Sequence, residues 1–391
     1  MAQKRRPEVR ARDLQGFKYF RLLMPLLERL QDVGTARDRA GNRQLFFDQY
    51  CALLLLYFFN PILTSLRGVQ QASGLDKVQK LLGVRRTSLG SLSEASGVFA
   101  AEPLRQIVHE LASRALPLEQ GPAAAALRGL TAVDGTILRA LPQMAWALWM
   151  DDQHRAAKLH LHFEVLQGVP VDATLTPAAC SEPEQLRAML QADRLYVIDR
   201  GYASYQLFRD ILDAGSSFLG RLKEDAAFTV QEERLVAPEA AAAGVVRDVV
   251  AGRLGTDHHK DVVGRPVRLV WVATGKVRPD GTAEVLLLGT DRLDLEAQLV
   301  ALGYRYRWWV ELFFRWLKCI LGCRHLLSTS ANGVTLQVYL ALIASLLVSL
   351  WTGCRPTKRT FEMLCFYFSG WASIEELQAH IEQLQPAPDS S

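Results

Sequence analysis

Three acidic residues that are far apart in the sequence carry side chains that could act together on a phosphate. Asp134 follows the apolar run LTAV, which predicts a short strand that ends at Asp-Gly, and Asp199 follows the apolar run LYVI, which predicts a strand that stops at Asp199. If these runs are neighbouring strands of one sheet, both aspartates emerge at the same edge. Glu311 lies much later, in a strongly patterned helix. Taken singly, each aspartate has a plainer explanation, because Asp-Gly is a common turn pair and an Asp often caps a turn.

The helix around Glu311 carries a polar stripe on an otherwise apolar surface. At about 100° per residue, one face collects a phenol, three cations and a carboxylate: Tyr304, Arg307, Glu311, Arg315 and Lys318. The opposite face is predicted to contact the core: Phe313, Trp316, Leu317 and Ile320. Salt bridges of Glu311 to the two arginines would contribute only about 0.2–0.5 kcal/mol per pair. They leave Tyr304 and Lys318 unexplained, whereas a site that holds a metal and a phosphate together accounts for both.

This set of residues predicts phosphoryl transfer assisted by two metal ions. Carboxylate oxygens are ligands that Mg²⁺ prefers, and Asp134, Asp199 and Glu311 would supply them. Two such ions, roughly 4 Å apart, can activate an attacking oxygen and stabilise a leaving one. The cations around Glu311 would then position the phosphodiester and offset its charge.

The segments that must position these residues alternate between strand and helix patterns. From Leu130 the sequence predicts three strands in a meander, a helix, a strand that stops at Asp199, a helix and a further strand. The last core helix is predicted over residues 301–322. This order indicates an α/β fold with a ribonuclease-H-like catalytic core, interrupted by a β-rich insertion and flanked by helical N- and C-terminal parts.

The predicted division of the chain follows from these changes of pattern. It comprises a helical N-terminal region that could bind DNA ends (1–120), the first part of the core (126–225), the β-rich insertion (226–300), the last core helices (301–345) and a helical C-terminal region (346–391).

Composition and charge narrow the class of protein. The chain has 391 residues, of which 49% are hydrophobic and 22% charged, so it can bury more than one core and is not broadly disordered. The formal net charge of +4 suggests a polyanionic partner only weakly, although a basic run at residues 4–12 is either a solvated tail or a phosphate-attracting arm. Six cysteines without a CxxC pair favour neither a zinc framework nor disulfides. We therefore expect a cytoplasmic, nucleoid-associated protein.

The apolar run at residues 338–351 could be either a membrane span or a buried core helix. Its dense part is about a dozen residues, which is short of the roughly 20 that a membrane span requires. Two serines, Ser345 and Ser349, interrupt it. We predict a buried core helix and no membrane association, and solubility without detergent would test the alternative of a helical membrane protein.

At this point the sequence resembles a known family. Tyr304, Arg307, Glu311 and Lys318 match the Tyr-x2-Arg-x3-Glu-x6-Lys signature of DDE transposases of the insertion sequence four family. The motifs VDGT at 133–136 and IDRGY at 198–202 resemble the first and second aspartate motifs of that family. The resemblance extends over about residues 60–350.

The resemblance implies an enzyme, a DNA transposase that cuts an insertion sequence at its ends and joins it to target DNA. It implies Mg²⁺ or Mn²⁺, two ions, held by Asp134, Asp199 and Glu311, with Tyr304, Arg307 and Lys318 on DNA phosphates. The expected partner is double-stranded DNA, both the inverted repeats and the target. A homodimer is expected because two ends must be cut together. The alternatives are an inactive or repurposed DNA-binding protein and a general ribonuclease-H-like nuclease.

Overall fold

The computed structural model describes most of the chain. The described residues are 25–30, 44–60, 62–139, 144, 146–147, 156–255, 263–321 and 326–384. The basic run at residues 4–12 falls outside this part, so the prediction of a phosphate-attracting arm stays a prediction.

The N-terminal part that the structure describes is largely helical. It contains helices α1 (Phe47–Phe59), α2 (Leu66–Ala72), α3 (Asp76–Leu82), α4 (Leu89–Val98), α5 (Glu102–Ala112) and α6 (Pro122–Ala126). Helix α5 is amphipathic, and it buries Leu104, Ile107, Val108 and Leu111 against the core. Helix α1 is apolar almost all round and is correspondingly buried.

The described strands form one sheet. They are β1 (Leu130–Arg139), β2 (Ala156–Glu164), β3 (Val169–Pro177), β4 (Leu195–Ile198), β5 (Ser217–Arg221), β6 (Phe228–Arg234), β7 (Val245–Leu254), β8 (Val267–Val277) and β9 (Ala283–Thr290). Their order across the sheet is β3-β2-β1-β4-β5-β9-β8-β7-β6. The remaining helices are α7 (Glu182–Ala188), α8 (Tyr205–Asp213), α9 (Pro238–Ala242), α10 (Ala297–Tyr306), α11 (Trp308–Leu321), α12 (Ala331–Thr352), α13 (Lys358–Phe368) and α14 (Ile374–Leu384). The predicted α/β class is therefore confirmed.

The centre of the sheet brings the two predicted aspartates level with each other. Strands β1, β2 and β3 form an antiparallel meander, while β1, β4 and β5 are parallel. The parallel register pairs Leu130 with Leu195 and Ala132 with Val197. Continued by two residues, the same register places Asp134 beside Asp199, just beyond the last parallel pair.

One local prediction was wrong. We expected the strand of VDGT to end at Asp-Gly, but β1 runs on to Arg139. Asp134 lies in the middle of β1, opposite Leu161 of β2. The pairing with β2 explains the difference, because a long partner strand supplies hydrogen bonds past the point where β4 stops.

The β-rich block at residues 226–300 extends the core sheet. Strand β9 pairs antiparallel with β5, and β8, β7 and β6 follow outward. The junction is reinforced by Asp291, whose carboxylate accepts a hydrogen bond from the amide of Phe218 at 2.8 Å. Helix α10 begins soon after this junction, so the block leads directly into the helix that carries Tyr304.

Close packing fixes α10 on the sheet. A side-chain carbon at Gly303 would lie 3.0 Å from Leu219 Cδ2 and 3.2 Å from Leu127 Cδ2. Glycine therefore allows α10 to approach β5 closely, and this approach sets the position of the next residue, Tyr304.

Helix α12 is the central helix of the fold. It is 22 residues long and, by length and composition, apolar enough to cross a membrane, yet 89% of its most apolar window is buried. It packs against α1, α5, α11 and β3. Ser345, which interrupts its apolar run, accepts a hydrogen bond from the indole of Trp316 on α11 at 3.0 Å. This burial agrees with the prediction of a core helix.

Candidate active site

The three predicted carboxylates are grouped around one guanidinium group and one phenol. Arg307 donates to Glu311 at 2.8 Å and lies 3.7 Å from the carboxylate of Asp134. Tyr304 donates its hydroxyl hydrogen to Asp199 at 2.9 Å. Asp134 in the middle of β1, Asp199 just after β4 and residues of α10 and α11 thus lie together.

Each aspartate is also held by its own backbone. The carboxylate of Asp134 accepts a hydrogen bond from the amide of Gly135 at 2.8 Å. That of Asp199 accepts one from the amide of Arg200 at 2.7 Å and so caps the short 3₁₀ turn Arg200–Tyr202. These bonds restrict each carboxylate while leaving further oxygen lone pairs for a ligand.

The helix that carries the polar stripe is interrupted at Arg307. Helix α10 ends at Tyr306 and α11 begins at Trp308, whereas we expected one continuous helix. The amide of Arg307 bonds to the carbonyl of Tyr304, and its carbonyl accepts from Val310, so the chain tightens locally into i→i+3 bonds. The apolar face of α11 is buried as predicted: Phe313, Trp316, Leu317 and Ile320.

The two aspartates have different electrostatic environments. Burial raises the pKa of Asp134 to about 6; the Gly135 amide and Arg307 oppose this, while Glu182 and Glu311 add to it. Burial acts on Asp199 in the same direction. There, however, the amide of Arg200, the charge of Arg307 and the hydroxyl of Tyr304 together hold its pKa below the ordinary value. Asp134 therefore has the less compensated negative charge.

Arg307 is the counter-charge of the site in this structure. Its side chain is only 14% exposed, and it is shared by Asp134 and Glu311. Within the described part of the chain, no three His, Cys, Asp or Glu residues form a group that could hold a metal ion. The carboxylates converge on the guanidinium group and are not arranged around a common ion.

The other two residues of the predicted stripe lie away from this centre. Arg315 is exposed, and its guanidinium group lies 5.8 Å from the centre of the Trp308 ring. Lys318 is half-buried in the last turn of α11, and among the described residues no hydrogen bond or ion pair joins it to the carboxylates. The proposed roles of both on DNA stay predictions.

Two further residues face the site and were not singled out from the sequence. Tyr202 is 2% exposed, and among the described residues its hydroxyl has no hydrogen-bond partner. Glu182, the first residue of α7, lies against Gly135. The glycine after Asp134 was the available signal, because a strand tolerates glycine where another group approaches the backbone closely.

Comparison with known proteins identifies the protein family. The family described as the transposase DDE domain matches residues 126–347, a segment that contains Asp134, Asp199 and Glu311. The chain belongs to this family of transposase domains.

Particular relatives are known from bacteria. The protein y4zB of Sinorhizobium fredii, which is named as a transposase, is 28% identical over 214 residues, 54% of this chain and 57% of the relative. A protein of Geobacillus stearothermophilus, named as the transposase for insertion sequence element IS5377, is 25% identical over 239 residues, 60% of each chain. This chain thus spans about three fifths of the curated relatives that it matches.

Among solved structures, the chain is similar to a piggyBac transposase synaptic complex with hairpin DNA that was determined by cryo-electron microscopy. The TM-score is 0.42 and the sequence identity 11%, over 95% of this chain and 86% of that one.

Proposed function

We propose that this protein is a DNA transposase that cleaves the ends of an insertion sequence and joins them to target DNA. Membership of the transposase DDE domain family supports the class of reaction. The observation that carries the assignment to residues is the convergence of Asp134, Asp199 and Glu311 on Arg307 and Tyr304. Arg307 pairs with two of these carboxylates and Tyr304 bonds the third, and we infer that a divalent cation and a DNA phosphate take over these contacts when they bind.

The chemistry of the donor set fits a hard divalent cation. The groups are carboxylates, whose oxygens Mg²⁺ and Mn²⁺ accept as ligands. Burial is the main cause of the raised pKa of Asp134, and the negative charges of Glu182 and Glu311 add to it. We therefore propose that Asp134, Asp199 and Glu311 hold two such ions, Mg²⁺ or Mn²⁺. When bound, such ions polarise the phosphodiester and lower the pKa of an attacking water.

The chain's own residues position the DNA. Arg307 presents a planar fork of donors that matches two phosphate oxygens, and it can leave Asp134 and Glu311 when a cation compensates them. Tyr304 holds the carboxylate of Asp199 in place. Lys318 and Arg315 extend the same helix face and would neutralise phosphates further along the DNA.

The finer classification follows from the motifs. The Tyr304, Arg307, Glu311 and Lys318 spacing supports membership of the insertion sequence four family, and the β3-β2-β1-β4-β5 order supports a ribonuclease-H-like core. On this proposal residues 226–300 are the insertion of that core. The protein would act in the cytoplasm on double-stranded DNA, as a homodimer that holds two ends together.

The test is cleavage of DNA that carries the terminal inverted repeats flanking the gene. Glu311→Gln removes one carboxylate charge with little change of shape, and we expect it to abolish Mg²⁺-dependent cleavage while DNA binding remains. Glu239→Gln, on exposed α9, is the matched control and should cleave as wild type does. Cleavage by Glu311→Gln at the wild-type rate would refute the assignment.

Two further results separate the alternative functions. Transfer of a pre-cut end to target DNA distinguishes a transposase from a general nuclease. A wild-type chain that binds the repeats without cutting them would be an inactive relative.

A further inference from the structure

Glu182 lies immediately beside the candidate active site. It opens helix α7, directly after β3 and the cap residue Ser181. A side-chain carbon at residue 135 would lie 2.6 Å from Glu182 Oε1, so the carboxylate rests on the backbone of Gly135, the neighbour of Asp134. The absence of a side chain at residue 135 is what admits Glu182 to this position.

Lys158 of β2 holds Glu182 in this orientation. Its ammonium group lies 3.3 Å from Glu182 Oε1, and the two side chains are 16% and 29% exposed. The charge of Glu182 acts on Asp134 more strongly than that of Glu311 does. Glu182 therefore belongs electrostatically to the cluster formed by Asp134, Asp199 and Glu311, although it lies on α7, which carries none of those three residues.

A second, independent observation points to a ligand at the same place. The hydroxyl of Tyr202 is buried and has no hydrogen-bond partner within the described residues. The 3₁₀ turn that carries Tyr202 packs against α7, the helix of Glu182. Burial is the main reason that the pKa of Tyr202 is raised, and the charges of Glu182, Asp134 and Asp199 add to this effect. A buried hydroxyl that makes no hydrogen bond is costly, and a bound group that supplied one would remove that cost.

The charges of this centre favour a cation as the missing group. Four carboxylates, those of Asp134, Asp199, Glu311 and Glu182, meet the cations Arg307, Lys158 and, more distantly, Arg221. Negative charge is therefore in excess. A hard divalent cation would compensate it and would bring ligated water within reach of a phenol.

We propose that Glu182 is a fourth acidic ligand of the divalent-cation centre, on the side of Asp134, and that Tyr202 donates a hydrogen bond to the ligands of that cation. This inference rests on the proposed function, because it assumes that Asp134, Asp199 and Glu311 hold divalent ions. It enlarges the centre from three carboxylates to four.

The experiment measures Mn²⁺ binding to the full chain without DNA, by titration calorimetry and by the paramagnetic resonance signal of free Mn²⁺. Glu182→Gln should weaken Mn²⁺ binding about tenfold or more. Glu184→Gln is the matched control, because Glu184 is an exposed glutamate in the same first turn of α7, and it should bind as wild type does. Tyr202→Phe should weaken binding by a smaller factor.

Thermal unfolding distinguishes a ligand from a residue that merely supports the fold. In EDTA, Glu182→Gln should unfold close to the wild-type temperature, and added Mn²⁺ should raise that temperature less than it does for wild type. A loss of stability in EDTA with an undiminished response to Mn²⁺ would instead show a structural role and overturn the inference. Glu182→Asp keeps the charge and should restore part of the Mn²⁺ response.

The failure of this inference is distinct from the failure of the proposed function. If Glu182→Gln binds Mn²⁺ as wild type does while Asp134→Asn does not, Glu182 is no ligand and the three-carboxylate centre stands. If Asp134→Asn, Asp199→Asn and Glu311→Gln all bind Mn²⁺ as wild type does, the centre itself is absent and the proposed function fails with it.

Discussion

At the scale of single residues, Arg307 joins the proposed catalytic carboxylates to the proposed contact with DNA. Its guanidinium group compensates Asp134 and Glu311 in this structure, and its donor geometry suits a phosphate equally well. On the proposed function, the same side chain would exchange its carboxylate partners for phosphate partners when a cation and DNA bind. This exchange would make binding of the metal and binding of the substrate mutually supportive.

Replacement of Arg307 tests this role. Arg307→Gln removes both the charge and the fork of donors, and we expect cleavage to fall by about 10²–10³-fold. Arg307→Lys keeps the charge without the fork and should lie between that variant and wild type. Arg359→Gln, an exposed arginine on α13, is the control. If Arg307→Gln and Arg307→Lys both cleave DNA as fast as the control Arg359→Gln, Arg307 has no role in cleavage.

A pH-dependent prediction concerns Glu164, the last residue of β2. It is 5% exposed, and burial raises its pKa to about 7 despite Arg194 and several hydrogen bonds. The folded state thus holds the proton more tightly than the unfolded chain does, so stability is lost as the pH rises from about 4.5 through about 7.

Glu164→Gln should remove that loss. At pH 8 we expect the variant to be more stable than wild type by about 3 kcal/mol, and below pH 4.5 the difference should vanish. Urea unfolding at both pH values measures it. A difference that did not change with pH would show that the hydrogen bonds of Glu164, and not its ionisation, decide its contribution.

At the scale of elements, α5 is attached to β3 by a partly buried ion pair. Arg105 donates two hydrogen bonds to Asp172, each of 2.8 Å, and His109 lies 3.1 Å from the same carboxylate. Burial opposes ionisation of Asp172, but His109 and Arg105 outweigh it and depress its pKa strongly. The contribution of Asp172 to stability is therefore present above its unfolded pKa and is lost as the pH falls below that value.

Asp172→Asn should destabilise the protein by about 3–5 kcal/mol at pH 7, because it leaves Arg105 without its partner. Under acid conditions, where wild type also loses the pair, the gap should narrow. The measurement is denaturant unfolding at pH 7 and at pH 2, which lies below the unfolded pKa of Asp172, with Glu94→Gln on the exposed surface of α4 as the control. A gap that is as large at acid pH would assign the loss to packing.

The helices and strands also show which structural features can be predicted from one sequence. The alternation of strands and helices and the apolar face of α11 follow from local pattern. The continuation of β1 past Asp134 does not, because it depends on pairing with β2. The break at Arg307 and the approach of Glu182 to Gly135 also depend on packing between segments that are distant in the sequence. The periodic spacing of hydrophobic residues does not predict such packing.

At the scale of the whole molecule, α12 links the N-terminal helices to the sheet and to the helix of Glu311. Leu340 of α12 is completely buried in this core. Because the core is continuous across these parts, we expect them to unfold together as one cooperative unit.

Leu340→Ala should cost about 2–5 kcal/mol by leaving a cavity. Tryptophan fluorescence and far-ultraviolet circular dichroism should report the same lowered midpoint. Leu235→Ala, at a position that is 97% exposed, should leave the midpoint unchanged. Two separate transitions in wild type would contradict a single cooperative core.

The attachment of β9 to β5 has a consequence for any attempt to trim this protein to a minimal nuclease. Removing residues 226–300 would strip β5 of a neighbour and leave its backbone amides and carbonyls unpaired, in a form that invites association with other chains. It would also cut away the strand that delivers the chain to α10. A shortened version should therefore aggregate before its chemistry could be measured, unless a polar strand were supplied in place of β9.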